Sequence, residues 1–190
     1  MARGRAAGTD GPTPGSSAAE SPDADPVEVA KSIVLAQLSV GPRTRSQLER
    51  VLARRQVPAP AAHEALDRFA ELGYVDDQVF AQAWVESRHR SKGLARRALR
   101  YELRNRGVDD ATIDDAVASL DADSERATAQ ALVARRLPST RGLPTPNRIN
   151  RLAGALARKG YPAGLALSVV REALAAEGDA AADDVEPDDT

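Results

Sequence analysis

Adjacent aspartates are the residues whose type and spacing first invite chemistry: Asp76-Asp77, Asp109-Asp110 and Asp114-Asp115. Paired carboxylates can hold Mg²⁺ or divide acid and base roles between them. Neighbours in sequence point in different directions on a helix, however, and no further carboxylate or histidine stands near Asp76-Asp77 at ligand spacing. Asp76 follows Gly73-Tyr74-Val75 and precedes Val79, Phe80, Ala83 and Trp84, which share one helical face. An aspartate there accepts hydrogen bonds from the first free amides and meets the positive end of the helix dipole. Asp77 in the first turn adds to the same effect. Asp76 and Asp77 therefore read as helix-cap residues, and Asp109-Asp110 marks another helix start. Asp114-Asp115, one turn further on, reads as a solvated face. The two histidines, His63 and His89, fit neither a metal-ligand nor a triad pattern and read as surface residues. There is no phosphate-cradling glycine loop and no nucleophile elbow. With no cysteine, thiolate zinc and disulfides are excluded. The expectation is no catalytic residue, no metal, no cofactor and no enzyme.

A different chemistry stands out at RHRSKGLARRALRYELRNR, residues 88–106. Arg88, Arg90, Lys92, Arg96, Arg97, Arg100, Arg104 and Arg106 face a single acid, Glu102, a net of +7 in 19 residues. On a helix turning about 100° per residue, Arg96, Arg100 and Arg104 form one stripe with Arg97 beside it, and Ala95, Leu99 and Leu103 form the adjoining apolar stripe. Such a helix docks on a core and still presents a guanidinium row. That row can grip phosphates or clustered carboxylates. Many charge runs are only a solvated surface, but gathering one sign of charge costs self-repulsion, which favours an anionic partner. Tyr101 is able to stack on a base, although a partly buried tyrosine is the plainer reading. Trp84 reads as core, packing its unit together.

The elements that must hold this row are helical throughout. The chain has 190 residues, aromatics are only 3%, and alanine and leucine, the cheapest residues in a helix interior, are abundant. No apolar run approaches the roughly 20 residues that span a bilayer, and the N-terminus lacks a secretory h-region, so a cytoplasmic protein without a membrane association is expected. Residues 1–26, rich in Gly, Pro, Ser and Asp, and residues 177–190, with seven acids and no base, are expected to be disordered tails. Between them lie 24 Lys/Arg against 17 Asp/Glu. A basic body again points to an anionic partner.

The body repeats itself. ERVLARRQV, RYELRNRGV and AGALARKGY share a frame in which Leu52, Leu103 and Leu156 precede Val57, Val108 and Tyr161. Leu48, Leu99 and Leu152 lie one turn before the leucines, and Leu66, Val117 and Val170 follow at a fixed distance. Helix starters Pro58, Asp109 and Pro162 close each frame. This predicts an all-α fold of three tandem three-helix repeats in an elongated, curved array, with repeat 1 at 27–74, repeat 2 at 75–120 and repeat 3 at 121–176. Helices are expected at 27–39, 44–55, 59–72, 77–90, 93–106, 110–120, 122–137, 145–159 and 163–176. Thr44 with Gln47 and Ser46 with Glu49 both fit capping boxes. Gly73, Gly107 and Gly160 fall just past helix ends, and LPSTRGLPTP at 137–146 reads as a loop.

GYVDDQVFAQAWVESR, then SKG, then RRALRYELRNRGV, resembles the signature of the RecX family, bacterial regulators of the RecA recombinase. RTRSQLERVL and LARKGY fit the family's first and last repeats, so the resemblance spans about residues 27–176. It implies a non-enzymatic, monomeric protein that lies in the groove of the RecA–DNA filament. It further implies limits on ATP hydrolysis, strand exchange and the coprotease activity behind the SOS response, and possible contact with single- or double-stranded DNA. The helix 93–106 would be the contact surface, through Arg96, Arg97, Arg100 and Arg104. The alternative is a general nucleic-acid binder that uses the same row on phosphates.

Overall fold

The computed structural model describes residues 25–183. Among these residues the regular structure consists of nine α-helices and one 3-10 turn, with no strand. They are α1 (Pro26–Leu38), α2 (Arg45–Arg54), α3 (Ala59–Glu71), α4 (Asp77–Lys92), α5 (Arg96–Asn105), α6 (Asp110–Ala118), α7 (Ala122–Arg136), the 3-10 turn (Leu137–Thr140), α8 (Thr145–Ala157) and α9 (Ala163–Asp183). Helices pack by threes: α1–α3, α4–α6 and α7–α9.

The leucine frame is the reason. Leu48, Leu52 and Leu66 are buried in the first core, Leu99, Leu103 and Val117 in the second, and Leu152, Leu156 and Val170 in the third. Each frame leucine lies one turn from the next, so a single apolar seam faces inward and the remaining positions stay polar. The helix starts match the sequence signals. Asp25, Asp109 and Asp121 each accept from an amide of the turn they begin. Thr44 and Gln47 form the full capping box, each side chain taking the other's backbone N–H at 3.2 Å. Ser46 lies inside α2, after its Arg45 start, and begins no helix.

Three features differ from the expectation. First, α4 continues to Lys92 and stops at Gly93, which is left-handed (φ 60°) and whose N–H donates to the His89 carbonyl. Second, α9 passes 176 and continues to Asp183. Glu177, placed by sequence in a tail, is half-buried and holds Arg141 at 2.8 Å as well as Arg148. These contacts also pin the 137–146 segment onto α9. Residues 1–24 and 184–190 lie outside the described residues, while Asp25 and Pro26, placed by sequence in the tail, cap and open α1. Third, α4 buries Ala81 and Val85, not its bulky face. Val79, Phe80, Ala83 and Trp84 instead line a 420 Å³ cleft with Pro42, Arg43 and Tyr74. Alanine on the inner face lets α4 approach α6 closely, and volume alone did not reveal that.

The repeats are joined by a seam that recurs. At the first, the Arg45 N–H, the first amide of α2, donates to Asp77 Oδ1 of the next repeat at 2.9 Å. At the second, the Arg96 N–H, the first amide of α5, donates to Glu125 Oε1 of the next repeat at 2.9 Å. The first helices of repeats 2 and 3 therefore each supply an acid that caps the second helix of the repeat before. The same helix starts also reach forward. The Thr44 hydroxyl donates to the Arg106 carbonyl at 2.6 Å, and the Ala95 N–H to the Lys159 carbonyl at 2.9 Å. Those carbonyls end α5 and precede Gly160, so the termini of successive second helices meet end to end and satisfy each other's orphan groups.

Candidate functional site

The predicted basic row is present, and its apolar side is fully buried: Ala95, Leu99 and Leu103 have no exposure. Its charges are largely matched by acids. Arg104 pairs with Asp110 at 2.6 Å and Arg100 with Asp114, both on α6. Arg96 Nε lies 3.7 Å from Glu125, and its guanidinium also donates to the Leu120 carbonyl. Arg90 pairs with Glu86 at 2.7 Å and Arg88 with Glu102 at 3.6 Å. Arg97 and Lys92 are exposed and have no acid within ion-pair distance among the described residues. The α6 acids read from sequence as a helix start and a solvated face are thus also the counter-ions of the α5 stripe.

Arg88 and Arg106 are held on an aromatic side chain. Their guanidinium carbons lie 4.1 and 3.6 Å from the Trp84 ring centroid, and Phe80 stacks on Trp84 at 5.7 Å. Trp84 Nε1 donates to Glu102 at 2.8 Å, and Arg106 donates to the Glu102 carbonyl at 2.9 Å. Burial lowers the Arg106 pKa, with Glu102 opposing and Arg88 adding to the effect. It stays charged at neutral pH all the same. Trp84 is therefore a half-buried cation–π platform at the rim of the second core. Tyr101, expected to be partly buried, is 67% exposed.

The eight predicted cations do not form one surface. Arg88 and Arg106 clamp Trp84, Arg96 is committed to the seam, and Arg97, Arg100 and Arg104 form the outward part. Exposed pairs such as Arg100–Asp114 and Arg104–Asp110 contribute only about 0–1 kcal/mol each. A partner's anion can therefore exchange for either aspartate at little cost.

Asp76, Asp77 and Asp109 each cap a helix start. Asp76 Oδ1 accepts from the Gln78 and Val79 amides at 2.8 and 2.9 Å, the cap the sequence predicts. Asp77 turns the other way and caps Arg45. Burial raises its pKa, the Arg45 amide works against this, and the Asp109 and Asp76 charges reinforce it. Because the folded value is raised, the contribution of Asp77 to stability is full below the ordinary carboxyl pKa and is lost as pH rises through the raised value. Asp77→Asn keeps the acceptor and removes the charge. Thermal melts should show an unchanged or higher Tm at neutral pH and a weaker gain on acidification. Asp76→Ala removes a two-amide cap and should cost about 1 kcal/mol in denaturant unfolding.

Three residues at the seams escaped the sequence reading. His89 is half-buried, not a free surface histidine: Nδ1 lies 2.9 Å from the Leu94 carbonyl and Nε2 2.9 Å from Thr128 Oγ1 of the next repeat. In the neutral ring Nδ1 carries the proton, because the carbonyl can only accept. Glu125, a buried carboxylate, had no marker beyond its place in a first turn. Tyr161, read as an apolar frame residue, also donates its hydroxyl to the Gly93 carbonyl at 3.2 Å. Burial, with the Glu125 charge adding, pushes that hydroxyl up to about 12, so it remains a donor across the physiological range.

Among the described residues no group of histidines and acids is placed to hold a metal ion, and no helix is long and apolar enough to cross a membrane. Fold and site together define a tandem three-helix repeat protein, bound end to end by caps in trans and carrying a basic outward helix. Family models match all three repeats in order: RecX, first three-helix domain, over 30–69, second over 76–117 and third over 123–170. The chain belongs to the RecX family. It is 55% identical over 172 residues to "Regulatory protein RecX" of Streptomyces coelicolor, covering 90% of this chain and 92% of that one. The protein of the same name in Thermobifida fusca is 54% identical over 171 residues, 90% of either chain. The crystal structure of RecX from Lactobacillus salivarius superposes with a TM-score of 0.72 at 18% identity, over 77% of this chain and 96% of that one. At that identity the match speaks for the fold. The relatives' names establish a regulatory role at the level of the family.

Proposed function

We propose that this chain regulates the RecA recombinase by lying in the groove of the RecA–DNA filament and contacting successive protomers there. Through that contact it lowers ATP hydrolysis, strand exchange and the coprotease activity of the SOS response. The observation that carries this reading is the family match through all three repeats together with the outward face of Arg97, Arg100 and Arg104 on a helix whose other face is core. A linear repeat array suits a repeating partner, since equivalent surfaces recur along both.

The test is ATP hydrolysis by RecA on single-stranded DNA held in excess, titrated with this protein. A fall at protein levels well below that of the recombinase supports the proposal. An unchanged rate despite binding to naked DNA that weakens steeply with salt points to the plain nucleic-acid binder. Arg97→Glu with Arg104→Glu tests the face itself. Reversing Arg96 as well would break the seam and confuse folding with contact. The double variant should need about tenfold more protein for half-inhibition, the loss of one charge-assisted contact or more. Native circular dichroism with an unchanged half-point would remove this face from the mechanism.

A further inference from the structure

At the junction of repeats 2 and 3 three helices end together. Lys92 closes α4, Arg135 and Arg136 close α7, and Lys159 lies just past the end of α8. Lys159 donates to the Lys92 carbonyl. None of the four has an acid within ion-pair distance among the described residues. Their only compensation is the helix dipole, about half a negative charge per carbonyl end, so positive charge remains in excess. The Lys159 pKa is lowered by burial first and then by repulsion from Arg136, Arg135 and Lys92, which agrees with that excess.

Two of these cations, Lys92 and Arg135, flank a groove of 520 Å³ between the end of α4 and α7. Arg90, Lys92 and Arg135 stand on it, while Gly93, Ala131, Leu132 and Ala134 give it an aliphatic surface. Leu132 also lines the small neighbouring hollow that Arg136 and Lys159 border. No residue of α9 lines the groove. Arg148 at the start of α8 bonds Glu177, so α8 and α9 run antiparallel, and the 21 residues of α9 lead away from the end of α8 by about 30 Å.

We infer that this junction is a docking site for an acidic, aliphatic peptide segment of a protein partner. Carboxylates pair with Lys92 and Arg135, and a leucine-type side chain between them lies against Leu132 and Ala131. Charge complementarity selects an anion. The aliphatic surface, with no aromatic residue lining the groove, selects a peptide over single-stranded nucleic acid, whose bases stack on aromatic platforms. The inference rests on the reading above that the partner is a protein filament, and it names the chemistry of a second contact beside the α5 face.

The experiment uses the full chain and a fluorescent synthetic peptide with a leucine flanked by aspartates, followed by anisotropy. Lys92→Glu with Arg135→Glu should weaken binding about tenfold or more. The control, Arg54→Glu with Arg55→Glu, reverses two exposed cations on repeat 1 and should leave binding unchanged. Equal weakening by both variants would mean diffuse attraction and would overturn the site. So would a labelled oligothymidylate that competes with the peptide for the seam and depends on the same two cations. Recombinase inhibition by the α5-face variant is scored separately, so the function and the docking site can fail independently.

Discussion

Gly160→Ala should separate repeat 3 from repeat 2 and cost about 2–5 kcal/mol, the sum of a strained backbone and an overpacked contact. Gly160 has φ +89°, and a Cβ there would lie 2.5 Å from the Ala98 nitrogen and 2.8 Å from the Ala98 Cβ. Backbone cannot swing aside as a long side chain can. The second helix of repeat 3 would have to withdraw, taking the Ala95–Lys159 hydrogen bond with it. The same position in repeat 2 is Gly107, where an added Cβ would meet Ser46 of repeat 1. In repeat 1 it is Gln56, also at positive φ (60°) and exposed. Positive φ alone therefore does not demand glycine here; a neighbouring repeat does. Differential scanning calorimetry should show repeat 3 melting earlier and apart from the rest in Gly160→Ala. Gln56→Gly, with no docked repeat to protect, should shift the melt only slightly. A Gly160→Ala protein with the parent's single transition would show that the second seam absorbs a methyl group.

The contrast between these positions also marks how far the sequence could be read. The frame leucines, their spacing and the glycines beyond them were visible because burial along a helix has a period, and a period needs no partner to be seen. Asp76 was legible for the same reason: its cap is local, two and three residues away. Asp77 was read as its companion and does something else, because its partner Arg45 lies 32 residues back. Glu125 and His89 were missed on the same ground. The basic row was found, but its counter-ions on α6 and α7 became visible only when the helices were laid together. Trp84 packs against the second core as its bulk suggests, but only half-buried: the packing of α4 on α6 selects the small Ala81 for the inside and leaves the indole at the rim. The end of α9 was misread because acidic composition hid a helix that Arg141 and Arg148 anchor through Glu177.

Glu125→Ala should be the most damaging change of a charged residue among the described ones, at about 3 kcal/mol or more. The residue is 7% exposed, and its carboxylate does two things. It accepts the Arg96 amide at 2.9 Å, at a helix whose own N-cap residue, Ala95, has no side chain able to cap. It also faces the Arg96 guanidinium, whose Nε is buried without a hydrogen-bond partner. Truncation leaves an orphan amide and a cation without its counter-charge at the same seam. Glu125→Gln separates the two roles, because its amide oxygen still caps Arg96 and only the charge is lost. It should recover about half of the stability lost by Glu125→Ala, since one of the two interactions survives. Urea unfolding of both variants checks this. If Glu125→Gln is as unstable as Glu125→Ala, the ion pair is the main contribution; if it matches the parent, the cap is. On the proposed function, inhibition of the filament should fall as the fraction of molecules with a closed seam falls. The α5 face can hold its bearing toward a partner only while repeats 2 and 3 stay locked, and the acid of one repeat is what completes the helix of the other.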